Sequence, residues 1–85
     1  MRGMYFYMAD AATFTDCATG KRVSVANNAQ LERDYLTARG ATDKAVLLTV
    51  EGHFTMEENP DTGTPVKTLR ADKEIKFIPG QSCDD

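Results

Sequence analysis

A single helix-like segment interrupts an otherwise strand-like sequence, and the position of this segment limits the possible folds most strongly. Leu31, Tyr35 and Ala38 recur at the spacing of one face of a helix, with charged residues between them. Gly40 follows closely and can adopt the left-handed conformation that often ends a helix. The segment therefore predicts one short amphipathic helix near the middle of the chain.

Two asparagines are candidates for the cap at the start of this helix. Asn27 and Asn28 both carry a side-chain oxygen that can accept a hydrogen bond from the first free backbone N–H groups. Asn27 also lies three residues before Gln30, a spacing that resembles a capping box. The sequence predicts that the helix begins just after one of these two residues.

Three strand-like segments precede the helix. Residues 2–9, 12–17 and 22–26 tend to alternate in polarity and are rich in aromatic or β-branched side chains. Gly20 lies between the second and third segments and suits a tight turn. These segments predict a three-stranded meander.

The first of these segments has apolar side chains on both of its faces. Met4, Phe6 and Met8 share one face, and Tyr5 and Tyr7 share the other. Methionine at strand spacing usually fills a hydrophobic core. We therefore expect the face that carries the two methionines to point inward.

Two strand-like segments follow the helix. Residues 45–50 are a nearly unbroken apolar run that is too short for a helix, so they predict a central strand buried on both faces. Gly52 indicates a bulge where this strand bends. Residues 66–69 and 75–78 predict one last strand, with room for an interruption at residues 71–72.

The order of these elements is β-β-β-α-β-β, which is the order of the OB-fold. Residues 59–63 carry the strongest turn pattern in the chain and predict the connection between the last two strands. We predict an all-β, five-stranded OB-fold barrel with one short helix between strands 3 and 4. Residues 1–85 form a single domain, because a chain of this length allows no more.

The charge of the chain argues against a nucleic-acid partner. The formal net charge is −3, and the ten Lys and Arg residues are scattered singly apart from Lys21 and Arg22. Proteins that bind nucleic acids usually carry a basic stripe that neutralises phosphates. No apolar stretch is long enough to span a membrane, and the start lacks the features of a signal peptide. The chain is therefore either cytosolic or a fragment of an exported protein.

The two cysteines, Cys17 and Cys83, allow two interpretations when they are only counted. Neither lies in a CxxC motif or at the spacing of a metal-binding cluster. In a cytosolic protein they would be two unrelated buried thiols, and in an exported protein they would form a disulfide. Counting alone leaves both interpretations open.

The sequence offers little support for catalysis or for a metal site. His53 has a carboxylate and a hydroxyl nearby, at Glu51 and Thr55, but no nucleophile motif accompanies them. The methionines and His53 are possible soft-metal ligands, yet methionine at strand spacing is more often core filler. We therefore predict that the domain is not an enzyme and that it holds neither a metal nor a cofactor.

Aromatic residues on the first strand are a candidate ligand-binding face. Tyr5, Phe6 and Tyr7 are consecutive, and OB-folds use aromatic side chains to stack against oligosaccharides or single-stranded nucleic acids. Because no basic groove accompanies them, a glycan or a protein is the expected ligand.

Several segments together resemble those of a known family. They are RGMYFYMADAATFTDCATGKR (2–22), VANNAQLER (25–33), VEGHFT (50–55), NPDTG (59–63), KTL (67–69) and Cys83. On these residues, the chain resembles the C-terminal OB domain of the NlpE family. The members of that family are outer-membrane lipoproteins of enteric bacteria that are linked to copper homeostasis and cell adhesion.

The resemblance implies a setting, a bridge and partners. The domain would be a fragment of a longer lipoprotein in the periplasm, attached to the outer membrane only through a lipidated N-terminal part that this fragment lacks. Cys17 and Cys83 would form a disulfide, made by the periplasmic disulfide machinery. The longer protein would signal to the sensor kinase of the Cpx envelope-stress system. A homodimer is a further assembly that the sequence allows.

Two functional hypotheses follow from the sequence and the resemblance. In the first, the domain is a non-enzymatic sensory or interaction module whose bridged state reports on oxidative folding in the periplasm. In the second, it is a binding module for a glycan or a protein surface, used in adhesion, and its disulfide is purely structural.

Overall fold

The computed structural model describes residues 1–8, 11–42, 44–59 and 61–83. These residues form β1 (Arg2–Met8), β2 (Ala11–Asp16), β3 (Arg22–Val25), α1 (Ala29–Arg39), β4 (Val46–Glu58) and β5 (Pro65–Ile78). The strands close into a barrel in the order β1-β2-β3-β5-β4. The predicted five-stranded barrel, with one helix between its third and fourth strands, is confirmed.

The barrel closes through a parallel contact between β3 and β5. Ser24 pairs with Thr68 and Val25 pairs with Leu69 in this contact, whereas the other strand pairs are antiparallel. A parallel pair needs a long connection, and here α1 and β4 lie between the two strands along the chain. The helix is therefore part of the connection that leads from β3 to its parallel partner, β5.

The core is built around aromatic rings at the place where the helix meets the barrel. The ring of Tyr5 packs edge-on against the rings of Tyr35, at 5.2 Å, and Phe77, at 5.4 Å. The hydroxyl of Tyr35 donates a hydrogen bond of 2.8 Å to the backbone carbonyl of Lys44. A buried tyrosine is stable when its hydroxyl finds a partner in this way. The ring of Tyr35 thus joins the helix to the interior of the barrel.

The expected inward face of β1 was wrong. Tyr5 is 1% exposed, whereas Met8 is 53% exposed, and Met4 and Phe6 are half-buried. Both faces of this strand are apolar, so alternation alone does not decide which one points inward. The tyrosine face is selected because the ring of Tyr5 fills the interior and contacts Tyr35.

The predicted helix is present, and Asn28 is its N-cap. The side-chain oxygen of Asn28 accepts hydrogen bonds from the backbone N–H groups of Gln30, at 3.0 Å, and Leu31, at 3.1 Å. The capping box expected between Asn27 and Gln30 was therefore wrong, because Gln30 is only the second residue of the helix. Gly40 follows the last helical residue, as predicted, and has a positive φ of 61°, but its ψ of −127° lies outside the left-handed helical region that was expected.

The apolar run of β4 is buried on both faces, as predicted. Val46, Leu47, Leu48 and Val50 are each at most 5% exposed. Strand β5, by contrast, is continuous through residues 71–72, where an interruption was expected. The register between β4 and β5 shifts twice in this region. The irregularity in the sequence is thus a bulge within one long strand.

Glycine at position 52 allows β4 and β5 to approach each other closely at this bulge. A Cβ atom at Gly52 would overlap with the backbone carbonyl oxygen of Arg70 in β5. The bulge that Gly52 indicated in the sequence is confirmed by the register shift beside it. Any larger side chain would have to push the two strands apart.

The turn between β4 and β5 is closed by backbone hydrogen bonds. The N–H of Asn59 donates to the carbonyl of Thr64, at 2.9 Å, and the N–H of Gly63 donates to the carbonyl of Asn59, at 2.7 Å. Pro60, which belonged to the predicted turn, lies outside the described residues. Within the described ranges, no helix is long and apolar enough to cross a membrane.

We predict that Gly52→Ala lowers the free energy of unfolding by about 1–3 kcal/mol, because the added methyl group forces a backbone shift at the bulge. Urea denaturation followed by circular dichroism measures this change. Gly20→Asn is a suitable control: Gly20 has a positive φ of 71° with open space around it, and asparagine tolerates that conformation. An alanine variant as stable as the wild type would contradict the close approach.

We also predict that Asn28→Ala lowers the free energy of unfolding by about 1 kcal/mol, because two N–H groups at the helix start lose their acceptor. Asn27→Ala is the matched control, and we expect it to leave the stability nearly unchanged. The same urea titration compares the two variants. Equal losses at both positions would argue that Asn28 is not the principal cap.

Candidate functional site

The candidate site is the disulfide that joins Cys17 to Cys83. The two sulfur atoms are bonded to each other and the two Cα atoms are 5.2 Å apart, which is within the usual range for a bridge. Cys17 directly follows β2, and Cys83 lies five residues beyond the end of β5. Both cysteines are half-buried. Of the two interpretations that counting left open, the disulfide is the one present.

The Cys17 side of the bridge lies on well-ordered backbone. The N–H of Cys17 donates to the carbonyl of Arg2, at 3.0 Å, which extends the pairing of β1 with β2 by one residue. The turn after it is closed by hydrogen bonds from Asp16 to the carbonyl of Lys21 and from Gly20 to the carbonyl of Asp16. Cys17 is therefore held by the sheet.

The Cys83 side lies on a short segment without regular structure. We call residues 79–83 the strap. Gly80 has a positive φ of 81° and turns the strap away from the direction of β5. The guanidinium of Arg2 donates a long hydrogen bond, of 3.5 Å, to the carbonyl of Ser82. The bridge therefore attaches the strap covalently to the end of β2.

The bridge closes a large part of the chain into a ring. Its two cysteines are 66 residues apart. Loop-closure entropy for a ring of this size corresponds to about 4 kcal/mol of stabilisation as an upper figure. A small domain has a total stability of about 5–15 kcal/mol. The upper figure is therefore a substantial share of the stability expected for a domain of this size.

The aromatic residues proposed as a ligand face do not share an exposed surface. Tyr5 lies in the core, and its burial, with a smaller contribution from the charge of Glu32, raises the pKa of its phenol. Phe6 and Tyr7 are half-buried, and the ring of Phe6 lies 6.3 Å from that of Tyr35. Tyr5 thus has no free face for stacking against a ligand. Ligand binding by Phe6 and Tyr7 stays a prediction.

The polar residues around His53 are paired within β4 and with residues of β5. The Nδ1 atom of His53 lies 2.8 Å from a carboxylate oxygen of Asp72, and both side chains are exposed. The hydroxyl of Thr55 donates to Glu57, at 2.6 Å, and this bond, followed by that from Arg70, lowers the pKa of the Glu57 carboxyl. Sequence inspection missed Asp72 and Arg70, because their proximity depends on the register of β4 and β5.

Metal-ligand side chains do not gather at one place in the part of the chain that the structure describes. Among those residues, no group of three or more histidine, cysteine, aspartate or glutamate side chains could hold a metal ion. Metal sites in proteins usually draw on three or four such ligands. The disulfide is therefore the feature of the site that offers chemistry: its sulfur–sulfur bond can exchange with thiols.

Comparisons with known proteins place this chain among its relatives. A model of the NlpE C-terminal OB domain matches residues 1–84. The protein named lipoprotein NlpE, from Escherichia coli strain K12, is 71% identical over 83 residues, which are 98% of this chain and 35% of that protein. The chain therefore spans about a third of the length of that curated relative.

A solved structure has the same fold. It is the crystal structure of a protein described as the Cpx pathway activator NlpE from Escherichia coli, and it aligns with a TM-score of 0.89 and 66% sequence identity. The alignment covers 100% of this chain and 43% of that one. The predicted OB-fold and the family resemblance are both confirmed by these matches.

We predict that reduction of the Cys17–Cys83 bridge lowers the melting temperature clearly, because the unfolded chain regains the entropy that the ring removed. Thermal unfolding with and without a dithiol reductant measures the shift. The variant in which both cysteines are replaced by serine is the control, and its melting temperature should not respond to the reductant. An unchanged melting temperature of the wild type after complete reduction would contradict a stabilising role.

Proposed function

The chain belongs to the family of NlpE C-terminal OB domains, and on this premise we propose that it is a non-enzymatic sensory or interaction domain of an envelope-stress lipoprotein. The observation that carries the proposal is the disulfide between Cys17 and Cys83. This bridge is the part of the domain whose covalent state follows the redox conditions around it. The domain thereby reports whether oxidative folding is working.

We propose that the domain works in the periplasm, as part of a longer lipoprotein anchored in the outer membrane through a lipidated N-terminal part. Its relative in Escherichia coli is named a lipoprotein, and this chain matches 35% of that protein. A disulfide persists in the periplasm, which is oxidising, and is rare in the cytosol. The periplasmic disulfide machinery would form the bridge after export.

The proposed partner of the longer protein is the sensor kinase of the Cpx two-component system. The solved relative is named as a Cpx pathway activator. When oxidative folding in the envelope fails, newly exported chains keep Cys17 and Cys83 as thiols. The domain then lacks up to about 4 kcal/mol of stabilisation from the bridge. A domain of this size changes its dynamics strongly after such a loss, and the longer protein would convert this change into signalling.

The position of the bridge suits a reporter of redox state. Both cysteines are half-buried, so a small thiol can approach the sulfur atoms more easily than it could in a sealed core. One partner, Cys83, lies on the strap outside the strands of the barrel. A bridge that fastens the strap can open without breaking the hydrogen bonds between strands.

The competing function is a binding module for a glycan or a protein, with a purely structural bridge. It needs an exposed aromatic face, and Tyr5 lies in the core. Roles in copper homeostasis and adhesion, and a homodimer, remain predictions from the sequence and its family resemblance. We prefer the redox hypothesis because the bridge is present and closes a large part of the chain into a ring.

We predict that replacing Cys17 and Cys83 by serine in the full-length lipoprotein raises Cpx output, because the domain is then locked in the unbridged state. A Cpx-dependent reporter in cells that produce normal amounts of the variant measures the response. Gly20→Asn in the same protein is the matched control, since it leaves the bridge intact and asparagine tolerates the positive φ at this position, and we expect no comparable rise. Unchanged output from the serine variant would favour the purely structural role.

A further inference from the structure

Leu47 is fully buried although its side chain points away from the interior of the barrel. Its exposure is 0%. Its neighbours in β4, Val46 and Leu48, both belong to the main core cluster, whereas Leu47 does not. Successive side chains of a strand point to opposite faces. Another part of the chain must therefore cover Leu47 on the outer surface.

Two further apolar residues flank Leu47 on that outer surface. The register pairs Met4 of β1 and Ile78 of β5 directly with Leu47. Residues opposite each other in adjacent strands lie on the same face of a sheet. Met4, Leu47 and Ile78 thus form a continuous apolar row across three strands, which we call the outer row. Met4 and Ile78 are half-buried.

The strap begins at one end of this row and must pass over the rest of it. It leaves β5 at Ile78 and ends at Cys83, which is bonded to Cys17 at the end of β2. Strands β4 and β1 lie between β5 and β2 in the barrel. Three spacings between strands amount to about 14 Å, and five residues reach at most about 17 Å. The strap therefore has to follow a nearly straight path across β4 and β1.

One hydrogen bond and one shared cavity locate the strap on the outer surface of the barrel. Arg2 lies two residues before Met4 in β1, so the two side chains share a face, and the guanidinium of Arg2 binds the carbonyl of Ser82. Met4 and strap residues also line the same cavity of about 480 Å³, together with residues from the end of α1 and the connection to β4. Both observations place the strap on the outer surface beside Met4 of the outer row.

We infer that the strap is a removable cover, which the Cys17–Cys83 bridge fastens over the outer row. The pairings between strands do not involve residues 79–83, so the closed barrel persists when the strap is released. Gly80, with its positive φ, is the pivot. The unbridged domain then displays Leu47 and its two neighbours to the solvent, while the bridged domain hides them.

The physiological meaning of this cover rests on the proposed redox role of the bridge. In a newly exported chain the bridge never forms, and a bridge that has formed is opened by a dithiol reductant: one of its thiolates attacks a sulfur of the bridge, and the second thiol resolves the mixed disulfide. Two electrons and two protons pass to Cys17 and Cys83, which become thiols, and the reductant becomes a disulfide. Reduction of Cys83 thereby exposes an apolar patch on the surface of the barrel.

Methionine oxidation in the 85-residue chain tests the inference, because the chain carries its own internal controls. Dilute hydrogen peroxide converts an accessible thioether into a sulfoxide. Met4 lies in the outer row, whereas Met8 and Met56 are 53% and 65% exposed at other places. In the Cys17→Ser/Cys83→Ser variant, which has no thiols to consume peroxide, we expect Met4 to oxidise several-fold faster than in the bridged wild type. The rates at Met8 and Met56 should stay the same.

A second variant and a second measurement make the test independent of how well the first variant folds. Deletion of residues 81–85 together with Cys17→Ser should give the same rate at Met4, because the part of the strap beyond the pivot Gly80 is then absent. In the wild type, the methyl NMR signal of Met4 should shift on reduction while the signals of Met8 and Met56 do not. Near-ultraviolet circular dichroism of the tyrosines monitors the integrity of the core.

An unchanged oxidation rate at Met4 in the unbridged variants would overturn the inference. Loss of the tyrosine signal on reduction would overturn it too, because no barrel would remain to display the outer row. These results are separate from the Cpx reporter. Faster oxidation of Met4 with unchanged Cpx output would support the cover and contradict the redox sensor. A changed Cpx output without faster oxidation of Met4 would support the sensor and contradict the cover.

Discussion

Closure of the barrel through the parallel pairing of β3 with β5 is the constraint on which the rest of the structure depends. It gives the last strand a second partner and encloses the space that the rings of Tyr5, Tyr35 and Phe77 fill. A closed sheet has few unpaired strand edges and holds its register tightly. The paired strands thus form a closed barrel, and the strap lies outside this barrel.

This division between a closed barrel and a fastened strap explains how one covalent bond can break without disrupting the pairing of the strands. A bridge placed within the core would couple its own rupture to unfolding of the whole domain. The bridge between Cys17 and Cys83 instead joins the end of a strand to a segment without regular structure. Its rupture lowers the stability through chain entropy and releases the strap, and both effects leave the pairing of the strands possible.

Periodicity in the sequence predicted the elements well, and it predicted poorly which face of an element points inward. The helical stripe and the apolar run of β4 each have one dominant pattern, so their existence and type follow from local chemistry. Strand β1 is apolar on both faces, and the expected burial of Met8 was wrong. The burial of Leu47 was expected, but the strap that we infer as its cover lies far from it along the chain.

The amino-acid sequence by itself determined the order of strands and helix, the helix end at Gly40, the bulge at Gly52 and the kinship with a family of envelope lipoproteins. These features depend on neighbouring residues and on segments that can be compared directly. Only the tertiary structure decided that Tyr5 lies inside and that Leu47 is covered from outside. The physical reason is that both depend on the register and closure of the barrel, which bring together residues that lie far apart in the chain.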